Sequence, residues 1–474
     1  PSLFDSPVER YVKARQSVQR FTPVQLGKCC FDMESNFPRY VVHSYNFSLF
    51  PSTLGIRDVE FTLSASSIRF LSHYGFDYNK FLKDGIPYMN EVQEKIFRQR
   101  LLAGTWKVCS NADRDVLKKA IDEVTSWIAA AKEEDTMILQ DLSGYHVLEV
   151  QLVLRQSLEN VWTEPLGDKK VMVKKVSPER RQLLENSSYD HCQKKLILLS
   201  ARGFTNIFQI LVKAKKPLVG HNMLMDLMHL HDKFYRPLPE SYEEFKRNIH
   251  NLFPVIIDTK TVTKSVLKKC LFPRVSSLLE VYAVLCSSNL NPKGPPCPVI
   301  ALASGCSRYA EKQSPHEAGY DAFLCGSGKM LLKNSFRVYV GLWQSFPSLD
   351  AVEVDPSFSQ YLTVLAEHVN KVNFIRGGVS SINFSGEDAP CHHPPALIVH
   401  VRGWPGLTER QIYQEFKAHC RFDVRRLSKN QFILLSNQYK HVRLVLRDYR
   451  HHPHLQVSIY RHWRHSPSVN CLLQ

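Results

Sequence analysis

The stretch Pro217–Phe234, "PLVGHNMLMDLMHLHDKF", decides how the chain is read. "PLVG" has the apolar brevity of a buried strand, and Asn222 stands where it can cap the helix that follows. That helix is apolar through Met223, Leu224, Leu227 and Leu230, yet it carries Asp226 four residues beyond Asn222. A buried carboxylate without a partner is costly, so Asp226 requires solvent, a cation or a metal. A strand–glycine–helix junction at the carboxyl end of a strand is also where α/β folds place their ligands. The junction therefore predicts an α/β protein and a candidate site together.

The bulk numbers agree with a soluble globular class. The chain has 474 residues, 44% hydrophobic and 22% charged, a length that suits about two to four domains. The net charge of +16 predicts a polyanionic partner, with nucleic acid ahead of an anionic membrane. The twelve cysteines form no C-x-x-C, so reduced thiols in a cytoplasmic protein are expected rather than a disulfide framework. Cys391-His392-His393 lies among prolines without zinc-site spacing, and is not taken as a metal site. No apolar run is long enough to span a bilayer.

Along the chain, "FTPVQLGKCCF" and "RYVVHSYNFSLFP" read as strands joined by the polar loop "DMESNFP", within a first domain segment over 1–111. Residues 112–196 change character. "TMILQ", "NVWTEP" and "KKVMVKKV" read as strands around the helix "YHVLEVQLVLRQSL", with Lys169, Lys170, Lys174, Lys175, Arg180 and Arg181 clustered nearby. This predicts a small basic α/β insert, after which the larger domain resumes over 197–385 with the strand "FPVIIDTK". Residues 394–474 follow the order β-α-β-β-α-β, the split pattern of the ferredoxin-like fold to which RNA-recognition domains belong. "NQFILLSN" lacks the basic-glycine-aromatic signature of those domains, so a scaffold or dimerisation role stands beside RNA binding. Arg443, Arg447, Arg450, Tyr460, Arg461, Trp463 and Arg464 near the end suit phosphate contact and stacking, and equally a solvated basic face.

A second stretch, "SPHEAGYDAFLCG", holds Ser314, Pro315, His316, Glu317 and Asp321. Ser314 and Glu317 have capping-box spacing, with Pro315 at the first helical position. His316 is then expected in the first helical turn, where the dipole keeps imidazole neutral and able to accept a proton. Five residues of helix turn through about 500°, so His316 and Asp321 would leave an ideal helix on different faces.

Taken together, G-H-N-x-x-x-D and H-E-x-x-Y-D-A resemble the second and third motifs of the DEDDh 3′–5′ exonucleases. "VGHNMLMD", "FPVIIDTK" and "HEAGYDA" are similar to the poly(A)-specific ribonuclease family, and the terminal "YRHWRHSPSVNCLLQ" to its germline branch that trims piRNA precursors. The resemblance implies a ribonuclease-H-like nuclease core with a small inserted domain and a C-terminal RNA-recognition-like domain. It implies two Mg²⁺ ions held by four carboxylates, and removal of single-stranded RNA from the 3′ end as 5′-mononucleotides. Asp226 and Asp321 match metal ligands and His316 the general base, while Asn222 and Lys260 match positions near the bound nucleotide. The insert departs from the family's Arg-x-x-x-His motif, offering only Tyr145-His146 and Arg155.

The first motif, D-x-E, supplies the other two carboxylates. "FDMES" offers Asp32 and Glu34, but its strand reads as the second of the nuclease sheet, with "DMESN" in the loop beyond it. The pair is therefore expected upstream of Pro1, leaving the residues given with half the metal ligands. The resemblance further implies delivery of RNA by a Tudor-domain or Piwi-type protein, a homodimer, and a C-terminal anchor to the endoplasmic reticulum or mitochondrial surface. Two other readings stay open: a catalytically inactive RNA-binding adaptor, and a DNA exonuclease, since the metal chemistry does not see the 2′-OH.

Overall fold

The computed structural model describes residues 2–469 apart from 34–38, 53–58, 105, 107–110, 143–145, 168, 270–276, 287–298, 312, 329–364, 392–393, 404–405, 420–421, 437 and 467–468. Glu34, Tyr145, His392 and His393, singled out above, lie outside the described residues.

The first element is a helix, Pro7–Arg20, which the patterns above leave unassigned. Ser6 and Glu9 close a reciprocal capping box with Pro7 at the first position, and Tyr11, Ala14 and Val18 bury one face. β1 (Gln25–Met33) pairs antiparallel with β2 (Arg39–Pro51). β2 pairs parallel with β3 (Ile86–Tyr88) near its end and with β9 (Val299–Leu302) near its start. β3 occupies residues whose Gly85-Ile86-Pro87 run reads as a breaker, because a parallel partner overrides the local signal. β1 also continues to Met33, so Asp32 lies in the strand and not in the loop expected for it.

One face of β1 is built for close approach. Gly27, Cys29 and Phe31 point, with period two, at a helix over 318–328. A Cβ on Gly27 would overlap the Ala318 carbonyl, and one on Gly326 would overlap the Phe31 ring. Asp32, one residue out of that register, points to the opposite face, where its side chain is 73% exposed and lies 3.7 Å from His43 Nε2.

β7 (Leu218–Gly220) and β8 (Ile256–Asp258) pair in parallel, with Gly220 opposite Asp258. The hairpin of β10 (Lys371–Asn373) and β11 (Ser381–Asn383) is fastened to β8 through Asn370, which donates its N–H to the Ile256 carbonyl and accepts from Ile256 N–H. The main core gathers Tyr11 and Val18, Leu49, Phe204 and Phe208, Leu227, Phe245, Ile256, Phe374 and Ile382.

Residues 111–196 hold the strands β4 (Thr136–Leu139), β5 (Val161–Gly167) and β6 (Lys170–Lys175) in the order β4-β6-β5. They have their own cluster around Val124, Leu139, Val150 and Val173. The helix Ser188–Arg202 runs through the boundary expected at residue 196. Arg155 is committed inward: it pairs with buried Asp190 at 2.8 Å, donates to Thr163 Oγ1 and lies 3.8 Å over the Trp162 ring. Lys175 donates to the carbonyls of Ile128 and Ala131 at a helix end, and Arg181 pairs with Glu185. Much of the basic cluster read from sequence is therefore structural.

β12 (Leu397–Val401), β13 (Asp423–Ser428), β14 (Gln431–Leu435) and β15 (Leu455–Ile459) form an antiparallel sheet in the order β13-β14-β12-β15. The helices Glu409–Phe416 and Tyr439–Asp448 cover one face. Among the described residues no helix is long and apolar enough to cross a membrane.

Candidate active site

The carboxyl ends of β7 and β8 are knotted by a residue whose role sequence reading did not assign. Asp258 is fully buried. Its Oδ1 accepts from the backbone N–H of Asn222 at 2.8 Å and of Lys260 at 2.9 Å. Its Oδ2 accepts from Met223 at 3.1 Å and Asn373 at 2.9 Å. One carboxylate thus satisfies four amides from three chain segments, which compensates its burial without a metal.

The knot fixes the loop that presents Asp226. Asn222 adopts φ of 62°, a left-handed conformation that asparagine tolerates, and its Oδ1 accepts from Asn373 Nδ2 at 2.7 Å. It does not cap the helix as its position suggests: the helix is Leu224–Leu230, preceded by Met223 with no side-chain cap. The backbone N–H of Asn222, drawn to Asp258, holds the residue outside the helix. Thr259 Oγ1 donates to the Gly220 carbonyl and sits 3.0 Å from His221 Nδ1. The hydroxyl proton is already used, so His221 Nδ1 carries the donor hydrogen. Burial, then the Lys260 charge, pushes the His221 pKa down to about 4.

Asp226 has an exposed side chain, yet burial, reinforced by the charge of Asp258, raises its carboxyl to about 6. Asp321 lies on the 318–328 helix, and burial likewise raises its carboxyl, with the His316 N–H countering. Cys325 lies one turn beyond Asp321 on the same helix. Burial pushes that thiol up, and the charges of Asp321, Asp226 and Asp258 push it further.

His316 departs from its expected place. Its φ is 66°, in a turn closed by the bond from Glu317 N–H to the Ser314 carbonyl, so it precedes the helix instead of entering its first turn. The dipole argument for a neutral imidazole does not apply there. The objection about helical faces falls too, because the turn brings His316 N–H to 3.4 Å from Asp321 Oδ1. The ring packs edge-on against exposed Phe70 at 4.8 Å and Tyr74 at 4.3 Å. Glu317 does not complete a capping box. Its Oε1 accepts from Tyr309 Oη at 2.6 Å, from Asn46 Nδ2 at 3.1 Å and from Arg308.

Residues 1–328 match the CAF1 family ribonuclease domain. The chain belongs to that family. Among its relatives, Poly(A)-specific ribonuclease PNLDC1 of Mus musculus is 57% identical over 476 residues, covering 100% of this chain and 88% of its own length. The Pre-piRNA 3'-exonuclease trimmer of Bombyx mori is 28% identical over 475 residues, 98% of this chain and 86% of its own length. Poly(A)-specific ribonuclease PARN of Xenopus laevis is 26% identical over 490 residues, 96% and 73% respectively. The CAF1 match spans Asp226, Asp258, His316 and Asp321 alike.

Two features of the chemistry fit a cation. Among the described residues no cation pairs with Asp226 or Asp321, and burial disfavours the charge of both. No group of three or more His, Cys, Asp or Glu among the described residues is assembled to hold a metal. Asp226 and Asp321 by themselves therefore do not make up a metal site among the described residues. Asp258, Asn373 and the Phe70–Tyr74 pair were not found by sequence reading. The signal available for Asp258 was an acid closing the apolar run "VIID", the same strand-end position that made Asp226 a candidate.

Proposed function

We propose that this CAF1 family ribonuclease is a divalent-metal-dependent 3′–5′ exoribonuclease that shortens single-stranded RNA and releases 5′-mononucleotides. Its substrates are piRNA precursors or poly(A) tails, as the names of its relatives indicate. The observation that carries the reading is the CAF1 family match over residues 1–328, which contains Asp226, His316 and Asp321, with His316 N–H 3.4 Å from Asp321 Oδ1. Asp226 and Asp321 would hold two Mg²⁺ ions, which when bound neutralise charge developing on the phosphodiester. A ring nitrogen of His316 takes the proton of the attacking water; the residue is exposed and its ring packs edge-on against Phe70 and Tyr74. Asn222 Oδ1 is spent on Asn373, which leaves its amide N–H groups to meet the terminal nucleotide. Lys260 lends positive charge beside the same loop.

The two further carboxylates are not Asp32 and Glu34 in this reading. Asp32 points away from the helix that bears Asp321, into solvent.

The test is digestion of 5′-labelled single-stranded RNA in Mg²⁺ by the chain extended upstream to its initiating Met. A ladder shortening from the 3′ end is expected, abolished by Asp226→Asn and by Asp321→Asn and unaffected by Asp32→Asn. An extended form that binds RNA without cutting it would replace the nuclease by an adaptor. Loss of activity in Asp32→Asn would return the first motif to "FDMES".

A further inference from the structure

The basic residues near the C-terminus fall into two groups that the fold separates. Lys440, Arg443, Arg447 and Arg450 are all exposed and recur at the spacing i, i+3, i+7, i+10. At 100° per residue Lys440, Arg443 and Arg447 lie within an arc of about 60°, across the helix from Val442 and Val445, which enter the core, and Arg450 follows in the turn just beyond the helix end. Tyr460, Arg461, Trp463 and Arg464 belong to the segment after β15. There the His465 ring stands 6.1 Å from His400, on the other face of the sheet.

That other face is already covered. The register of β13, β14 and β12 puts Asp423, Leu435, Arg425, Ile433 and Ile398 on it. Leu3 N–H and Arg376 both bond the Asp423 carboxylate, and the Arg425 guanidinium lies 4.6 Å over the Phe4 ring. Leu3, Ile398 and Leu435 are buried. The sheet surface is thus docked on the N-terminal residues and on the turn after β10.

The helix Tyr439–Asp448 is charged in an unusual way. Solvated helical faces interleave both signs, because like charges three or four residues apart repel. Asp448 is the sole acid in this helix, and it is shared between Arg447 and His419. The self-repulsion of the stripe is relieved by a polyanion, and a linear row of cations on one edge suits a phosphate backbone. A bilayer surface fits less well, since the apolar face of the helix is already spent on the core and has nothing to insert.

We propose that Lys440, Arg443, Arg447 and Arg450 form a track for the phosphates of single-stranded RNA lying outside the active site, on the helical face of the C-terminal sheet. The track rests on the exoribonuclease reading for its ligand. It makes binding, and not catalysis, depend on RNA length.

The test uses the full chain with Lys440→Gln, Arg443→Gln, Arg447→Gln and Arg450→Gln combined, and measures affinity for long single-stranded RNA in EDTA across a salt series. Each phosphate contact to a single strand contributes about 0.7 to the slope of log affinity against log salt, so the slope falls by about 3. Affinity for a short strand of about six nucleotides, within the range of one binding module, is unchanged, and thermal stability is equal or higher as repulsion is removed. An Arg461→Gln, Arg464→Gln variant serves as the comparison. Unchanged slope and affinity for long RNA in the quadruple variant would overturn the track, as would an equal loss from the tail variant. Loss of binding to phosphatidylserine vesicles with RNA binding intact would reassign the stripe to a membrane. Because binding is read without turnover, a protein that binds RNA through the stripe but cuts none would overturn the nuclease reading and leave the track standing.

Discussion

The chain contains the pattern Ser-Pro-x-Glu twice, at Ser6–Glu9 and at Ser314–Glu317, and the fold uses it in two different ways. At the first, Glu9 N–H donates to Ser6 Oγ at 3.2 Å and Ser6 N–H to Glu9 Oε2 at 2.8 Å, and a helix begins at Pro7. At the second, Glu317 is claimed by Tyr309, Asn46 and Arg308, His316 turns left-handed, and the helix begins at residue 318. A cap is worth about 1 kcal/mol, whereas three distant donors, one of them charged, offer more. The local signature is an option that tertiary partners can outbid. Where they do so, the displaced residue is the histidine of the candidate site.

That contrast can be broken at several points. His316→Ala removes the proton acceptor and is expected to lower kcat by about 10²–10⁴, with stability within about 0.5 kcal/mol, since the side chain is exposed. Steady-state digestion and a denaturant titration check the two halves. Asp258→Ala strips the acceptor from four amides, those of Met223 and Asn373 buried, and is expected to cost at least about 3 kcal/mol, read from the denaturation midpoint. If it proved mild, the knot would not be what positions Asn222 and Asp226. Glu317→Ala should cost about 1–3 kcal/mol and also lower activity, because the turn loses its anchor. Ser6→Ala should cost about 1 kcal/mol and leave activity untouched. Equal effects on activity at Glu317 and Ser6 would erase the distinction between them.

The smallest effect concerns pH. The folded pKa of His221 is depressed to about 4, against about 6.5 in an unfolded chain. Its contribution to stability is therefore complete above pH 6.5 and is lost as pH falls through 4, as the unfolded state takes up the proton first. His221→Asn, which keeps a donor toward Thr259, is expected to flatten that part of the stability curve. An unchanged slope would show that His221 is not held neutral.

Periodicity located the strand at Leu218–Gly220, the helix bearing Asp226 and the strand ending in Asp258, because each is coded by neighbours a few residues apart. Asp226, Asp321 and His316 stood out through motif order. What escaped was non-local. The four amides that meet Asp258 come from residues as distant in sequence as Asn222 and Asn373. No window of sequence shows that Asn222 will be pulled out of its capping position. The extension of β1 through Asp32 was missed for a related reason: the polar run that opens at Asp32 reads as a turn until Asp32 and Met33 are seen to pair with Val41 and Tyr40 of β2. The capping box at Ser6 went unread although its pattern is identical to the one at Ser314, so the error ran in both directions.

The most direct test of the account is whether Asp226 and Asp321 both serve to bind a divalent cation. Electron paramagnetic resonance of Mn²⁺ titrated into the upstream-extended chain reads bound and free ion without turnover. The account predicts that Asp226→Asn and Asp321→Asn each remove or weaken bound Mn²⁺. Undiminished Mn²⁺ binding in either single variant would contradict it.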